Sequence, residues 1–554
     1  GNSAEWAPTE KVAFEVASGA SLGGARVLVA MKNVGVNVPA DPLFSAAYAG
    51  VNGGLVLVSA DDPAMHSSQN EQDNRHFARA AKIPMLEPSD SQEAKDFTVR
   101  AFEISERYDT PVMLRVTTRL CHGMSPVVAE RGATWPRAAL RPYEKNFRKH
   151  VLLPANARRR HLFVEERMRE LEELAGEDRE LNRILWGDRT IGVITSGVAF
   201  QYVREVMPGA SILKLGMPHP IPRELVRELA DAVDELYVVE ELDPFLEEQV
   251  RAMGLPAIGK DLFPITGELD PDSVSRGLLG TAEEPLPAGD GGGARPAAEL
   301  PPRPPVLCAG CGHRGVFYTF AKLGLVVTGD IGCYTLGALP PLDAMDSCLC
   351  MGASVGMAHG MEIALREAGD GRRVVGVIGD STFMHSGITG LINTVYNGGA
   401  STLVVLDNGT TAMTGHQGHP GTGVTASGET GGRVDIAALC RAIGVRRVRE
   451  ADPYDLAALE AALEEELAAD EPSVILCRAV CRLVDRTPIG PPVRLEIECP
   501  GCGTCFELGC PALDERDLAA AIDPEACCGC GLCVQICPFC GLHVEGRSFQ
   551  EAPA

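Results

Sequence analysis

Long apolar runs are missing from this chain: no stretch of about 18 or more apolar residues occurs. No charged leader precedes an apolar run of about 7–15 residues either. A membrane-spanning helix and a secretory signal are therefore not expected, and the reading is of a soluble, cytoplasmic chain. Positive charge is in short supply. Fifty Lys+Arg against 75 Asp+Glu leave a formal net charge of −25 and a sequence pI near 5.0. That balance argues against nonspecific binding to nucleic acid or to an anionic membrane and suits basic protein partners. Short tandem repeats are also lacking, and collagen or coiled-coil fibre is excluded as a description of the whole chain.

What is present is globular: 554 residues, 45% apolar and 23% charged. At about 100–200 residues per domain, that length predicts three to five domains. Apolar runs at 26–31, 54–59 and 111–116 alternate with helical patterns at 9–23 and 89–108. Fully apolar runs separated by helices indicate a parallel sheet covered on both faces. Residues 130–183 are charged and helical, with Arg158-Arg159-Arg160 inside them, and read as a solvated insertion or domain connection. A second α/β unit opens at Ile191-Gly192-Val193-Ile194 and continues through 211–215 and 235–240. Residues 281–305, rich in Pro, Gly, Ala and acidic residues, form a linker. A third unit, 306–490, carries strand-like runs at 325–329, 373–378, 401–407 and 473–476, and residues 491–554 form a cysteine-rich tail. The expected class is multidomain α/β with parallel sheets.

Ten of the 19 cysteines lie between Cys499 and Cys540. They form two runs, Cys499-x2-Cys502-x2-Cys505-x4-Cys510-Pro and Cys527-x2-Cys530-x2-Cys533-x3-Cys537-Pro. This is the two-cluster ferredoxin pattern, in which the cysteine before proline reaches the other cluster. Crossed ligation puts one [4Fe-4S] cluster on Cys499, Cys502, Cys505 and Cys537, and the second on Cys527, Cys530, Cys533 and Cys510. Structural zinc commonly uses two separated C-x2-C pairs and would leave the third cysteine of each run unexplained; disulfides would need export. Cys528 and Cys540 are extra thiols in this reading. A tail of this kind alone would fit a noncatalytic electron-transfer scaffold.

The third unit supplies a second chemistry. The run 374–378 ends in Gly379-Asp380-Ser381, and the run 403–406 ends in Asp407-Asn408. Both polar ends fall at the carboxyl edge of a parallel sheet, where such folds bind ligands. Asp380, Asn408 and the Thr410 carbonyl offer hard oxygen ligands suited to Mg²⁺ on a diphosphate. Gly379 permits a close turn, and the helix after Ser381 can aim amides at phosphate.

This arrangement resembles the thiamine diphosphate signature, with Ser381 and Asp407 departing from its usual residues. Longer matches sharpen the resemblance: Trp6 through Lys11, Met31 through Gly35, Asp61 through Asp73, Gly329 through Tyr334, Gly379 through Gly390, and Thr410 through Gln417. Nearly the whole chain is similar to the large subunit of the thiamine-dependent 2-oxoacid:ferredoxin oxidoreductases, of the indolepyruvate type. The resemblance implies a pyrimidine-binding domain at 1–190, a transketolase C-terminal-like domain at 191–280, a diphosphate and Mg²⁺ domain at 306–490 and a ferredoxin-like tail. It implies oxidative decarboxylation of arylpyruvates with coenzyme A, the alternative substrate being another 2-oxoacid such as pyruvate or a branched-chain acid, with a small second subunit in a dimer of heterodimers and ferredoxin as electron acceptor. It implies Glu10 as the carboxylate on the cofactor's pyrimidine, His66 and His416 in the catalytic cleft, and Met413 among the cofactor contacts. It further implies a third, proximal [4Fe-4S] cluster on Cys308, Cys311, Cys333 and a later cysteine, Cys481 or Cys477, the flanking pattern favouring Cys481. The arginines of Leu114-Arg115-Val116-Thr117-Thr118-Arg119 are read either as an anion fork or as a domain-interface salt bridge. Family members carry an initial strand and a Tyr-Pro-Gly-Thr-Pro loop ahead of the Glu5–Lys11 region; this chain has neither, so a first domain lacking that unit is expected.

Overall fold

Apolar runs with no polar face belong where both faces of a sheet are covered, and that is where this chain puts them. The computed structural model describes residues 3–129, 140–280, 304–496, 499–516 and 519–545. It comprises two units, residues 10–298 and residues 299–554 together with 1–9.

The 10–298 unit holds two sheets. In the first, Val27–Lys32, Leu55–Asp61, Val112–Thr117 and Met85–Leu86 lie side by side in that order, all parallel. The helix Ser91–Tyr108 starts where the Asp90 side chain accepts from Glu93 N and ends at Asp109, whose φ is 55°. Its Phe97, Ala101 and Ile104 pack on Val112 and Leu114. The second sheet has the order Asn182–Leu185, Ala210–Leu215, Asp188–Ser196, Glu235–Val239, Ala257–Ile258, antiparallel only at the first pair. This sheet starts nine residues before the apolar run at 191, because its edge strand Asn-Arg-Ile-Leu shows no apolar pattern. One core, from Phe14 and Leu57 through Leu213 to Phe245, serves both sheets.

The segment read as a solvated insertion or domain connection runs between the two sheets and is anchored on the protein. The helix Pro154–Glu177 buries Val164, Leu171 and Ala175. Its Arg167 is 1% exposed and donates to the carbonyls of Asp109, Ala47 and Lys82. Within the basic run, Arg160 bonds Tyr48 O at 2.6 Å and Asp109 Oδ2 at 2.9 Å. Residues 130–139 and most of the linker, 281–303, lie outside the described residues.

A buried ionic cluster joins the two sheets of this unit. Arg115 binds Asp61 at 2.6 Å and also pairs with Glu87, whose other oxygen accepts from Ser196 Oγ at 2.6 Å. Arg75 binds Asp73 and Glu240 and donates to Glu241 O at 2.7 Å. Burial pushes the Glu241 carboxyl from 4.5 up to about 7. Between those values the folded chain keeps a proton that the unfolded chain has released, so this group makes stability fall as pH rises through that window. Glu241→Gln should remove that slope, leaving the variant more stable than the parent above pH 7 by on the order of a few kcal/mol and similar to it near pH 5. Unfolding midpoints at the two pH values check this.

The 299–554 unit is built on six parallel strands in the order Ser347–Cys348, Val326–Gly329, Val374–Gly379, Thr402–Asp407, Ser473–Arg478, Arg447–Ala451. Alternate residues feed two cores. Val377, Val404 and Ile475 face Phe317 and Leu459, while Ile378, Val405 and Leu476 face Phe383 and Ile436. The tail has two small antiparallel ladders, Arg494–Leu495 with Leu542–His543 and Leu513–Arg516 with Ala519–Ile522, around the helix Leu532–Ile536. Among the described residues no helix is long and apolar enough to cross a membrane.

Candidate active site

The strand Val374–Gly379 is buried along its whole length and delivers Asp380 at its carboxyl end. Glycine is required at 379, since a Cβ there would lie 2.8 Å from the Tyr334 ring. Asp380 is 2% exposed. Its Oδ2 accepts from Gly409 N at 2.8 Å and stands 3.1 Å from His419 Nε2, while Oδ1 accepts from Ser381 N at 2.9 Å. The neighbouring strand end brings Asn408, whose Oδ1 accepts from Thr410 N at 3.1 Å, and Thr411 Oγ1 donates to Ser381 Oγ at 2.8 Å. Asp380, Ser381, Asn408 and Thr410 are thus gathered at one place. Asp407 lies beside Asp380; burial and that carboxylate push its pKa up, against Arg478 at 3.1 Å. Met413 and His416 sit on the adjoining loop, both exposed, with His416 at φ 64°. The donor set is carboxylate, amide and carbonyl oxygen, which fits a hard divalent cation.

Two buried groups back this edge. Asp330 accepts from Tyr334 OH, Gly352 N and Ser354 Oγ, and burial lifts its pKa to about 6. His313 is fully enclosed; burial drops its pKa to about 4 against the opposing pull of Asp380, so the ring is neutral at pH 7.

Cysteines gather next to this site. Burial pushes the Cys333 thiol up, with Cys481 and Cys308 adding to the effect, and Cys311 rises to about 12 by burial with help from Cys308 and Cys333. Cys308, Cys311, Cys333 and Cys481 therefore share one neighbourhood. Cys481 N donates to Asn408 O at 3.1 Å, which ties that neighbourhood to the oxygen set. Cys477 is 3% exposed within the sheet core. Cys348 neighbours Asp330 and Cys350 instead.

In the tail, one cavity is lined by Cys499, Cys502, Cys505 and Cys537, and another by Cys510, Cys527, Cys530 and Cys533. Cys537 and Cys510 thus each line the cavity of the other run. Backbone amides of Ala520 and Val493 point at Cys499 and Cys527 sulfurs, each at 3.4 Å. Cys528 also lines the second cavity, and a hydrogen bond with Cys530 draws its pKa down to about 6; Cys540 is exposed. Among the described residues, the only three ligand atoms all within 4.8 Å of one another belong to Asp73, His76 and Asp243, and Asp73 is already held by Arg75.

In the 10–298 unit, Glu10 opens the helix Glu10–Leu22 against the turn Asn33–Asn37. A Cβ on Gly35 would stand 3.0 Å from Glu10 Oε1, so glycine leaves room for the carboxylate. The 61–74 loop is tied to the same turn, since Gln72 and Asn74 side chains each donate to Asn33 O at 3.0 Å. His66 is exposed and lies 3.2 Å from Glu268, next to Ala64 and Met65 at φ 67° and 52°.

Three family descriptions match this chain. "Pyruvate flavodoxin/ferredoxin oxidoreductase, thiamine diP-bdg" matches residues 7–173, "Thiamine pyrophosphate enzyme, C-terminal TPP binding domain" matches 330–477, and "4Fe-4S binding domain" matches 520–539. Indolepyruvate oxidoreductase subunit IorA of Archaeoglobus fulgidus is 41% identical, with 96% of this chain and 88% of that protein covered. The same-named subunit of Methanothermobacter marburgensis is 41% identical over 98% of this chain and 90% of its own. The chain belongs to the IorA family. Ketoisovalerate oxidoreductase subunit VorB of Methanothermobacter thermautotrophicus is more distant, 24% identical over 44% of this chain and 75% of that protein.

As an IorA-family oxidoreductase subunit, the chain carries thiamine diphosphate-binding domains and a 4Fe-4S domain. Sequence reasoning singled out His416 but missed His419, three residues on, which is the histidine that meets Asp380. It left Arg115 open between an anion fork and a domain-interface salt bridge, and the ion pairs match the second. That arginine is 1% exposed and spent on Asp61 and Glu87, whereas Arg119 is exposed and paired with Glu268 at 2.5 Å. The position of Arg115 between Leu114 and Val116, in a strand buried on both faces, was the available signal.

Proposed function

We propose that this chain is the large subunit of a cytoplasmic indolepyruvate:ferredoxin oxidoreductase. The reaction converts an arylpyruvate and coenzyme A to the aryl-acetyl-coenzyme A and CO₂, with two electrons passing singly to two ferredoxins. The observation that supports this reading is the 3.1 Å hydrogen bond from Cys481 N to Asn408 O, one residue from the proposed cysteine set and one from the proposed oxygen set. Asp380, Asn408 and the Thr410 carbonyl hold Mg²⁺ on the diphosphate, with Gly379, Ser381 and Met413 shaping its seat. The bound cofactor supplies the electron sink for decarboxylation. Glu10 hydrogen-bonds the pyrimidine nitrogen, and the exposed His66 and His416 present protons to the substrate. Cys308, Cys311, Cys333 and Cys481 hold a proximal [4Fe-4S] cluster, and the tail holds two more. The small second subunit completes the enzyme in a dimer of heterodimers.

The test is anaerobic purification with the second subunit, followed by ferredoxin reduction across a panel of 2-oxoacids. Indolepyruvate should exceed pyruvate and 3-methyl-2-oxobutanoate by roughly tenfold or more in kcat/KM. Faster turnover of pyruvate than of indolepyruvate overturns the substrate assignment.

A further inference from the structure

His419 follows the strand Thr402–Asp407 in an irregular loop and is 9% exposed. Its two ring nitrogens have different duties. Nδ1 accepts from Gly421 N at 3.2 Å, and Nε2 stands 3.1 Å from Asp380 Oδ2. A nitrogen that accepts carries no proton, so Nε2 bears the proton and donates to the carboxylate. The loop keeps the ring there. Thr422 Oγ1 and Thr422 N both donate to His419 O, at 2.9 and 2.8 Å, and Arg433 Nε donates to Gly421 O at 3.0 Å. A Cβ on Gly421 would come within 2.9 Å of the imidazole, so the residue that supplies the anchoring amide must be small.

We infer that His419 is a positioning residue: it holds Asp380 Oδ2, together with Gly409 N, and so sets the orientation in which the carboxylate meets its divalent cation. This rests on the reading that Asp380 holds the cation. The imidazole is not itself a ligand, because Nε2 is committed to Asp380 and Nδ1 to the backbone. A donor fixed on one carboxylate oxygen fixes the direction of the other, and loss of such a partner typically weakens metal binding by about 10–100-fold.

Two near-isosteric variants separate this role from simple packing. In His419→Asn the amide oxygen reaches the Gly421 amide, but no donor reaches Asp380; in His419→Gln the terminal amide matches the reach of Nε2. Mn²⁺ binding to the full chain in the presence of thiamine diphosphate is read by electron paramagnetic resonance, with iron–sulfur absorbance as the check on folding. H419N should weaken Mn²⁺ about 10–100-fold, and H419Q should stay within about threefold of the parent. Equal affinities for H419N and the parent, or H419Q weaker than H419N, overturn the proposal. Asp380→Asn is measured alongside. If it too leaves Mn²⁺ binding unchanged, the cation site itself has been misassigned; if it abolishes binding while H419N does not, only the role of His419 falls.

Discussion

Asp380→Ala should yield a chain that keeps its iron–sulfur absorbance but purifies without thiamine diphosphate, with ferredoxin reduction down by roughly 10³-fold or more. The carboxylate is 2% exposed and accepts from Gly409 N and Ser381 N, with His419 Nε2 at 3.1 Å, so truncation removes the group on which three donors converge. Leaving buried donors unpaired costs about 1–3 kcal/mol each, and the loop 408–419 loses its tie to the sheet edge. Asp380→Asn is the sharper variant, because it keeps the volume and lowers only charge and acceptor capacity. It should lose the metal while keeping the fold. Cofactor content per chain, measured on the anaerobic complex, decides the matter: a D380A chain with stoichiometric thiamine diphosphate would remove Asp380 from the site.

Why this site could be read in the sequence at all follows from the sheet. Strands covered on both faces are written as unbroken apolar runs, so 373–378 and 401–407 were visible, and with them the polar ends that hold Asp380 and Asn408. Edge strands are not written that way. Arg447–Ala451 and Asn182–Leu185 are only partly covered and carry polar residues, and Ser347–Cys348 is two residues long. Arginine misled for a related reason. In the helix Pro154–Glu177, Arg167 satisfies three backbone carbonyls from inside the protein, a use that composition counts as solvated charge. The two cysteine runs of the tail were legible through their spacing, whereas Cys308, Cys311, Cys333 and Cys481 were singled out only by the family resemblance. His419 was not legible, since nothing in Gly415-His416-Gln417-Gly418-His419 tells which imidazole turns inward; that depends on the left-handed backbone at Gly415 and His416.

Gly310→Ala should leave cofactor and iron contents intact but slow delivery of electrons to ferredoxin on the order of 10–100-fold, the scale on which small misplacements act. Gly310 lies between Cys308 and Cys311 at φ 67°, where alanine costs about 1–2 kcal/mol. More decisively, its Cβ would fall 1.9 Å from Cys528 Sγ. Cys528 lines the cavity of Cys510, Cys527, Cys530 and Cys533, so this glycine is where the loop between Cys308 and Cys311 presses on the tail. Tyr454 clamps the contact, donating to Gly310 O at 2.9 Å while its own carbonyl accepts from Gln535 Nε2 at 2.8 Å. A methyl group there must displace the Cys528 sulfur, by turning its side chain or by moving loop and tail apart. Stopped-flow comparison of 2-oxoacid decarboxylation with ferredoxin reduction reads the effect, since only the second should slow. Cys528→Ala removes the clashing sulfur. The double variant G310A/C528A should therefore recover much of the lost rate, a coupling that separate structural defects would not produce. C528A alone should keep both tail clusters. If it empties one, Cys528 is a ligand, and the crossed assignment through Cys510 gives way to one that includes it.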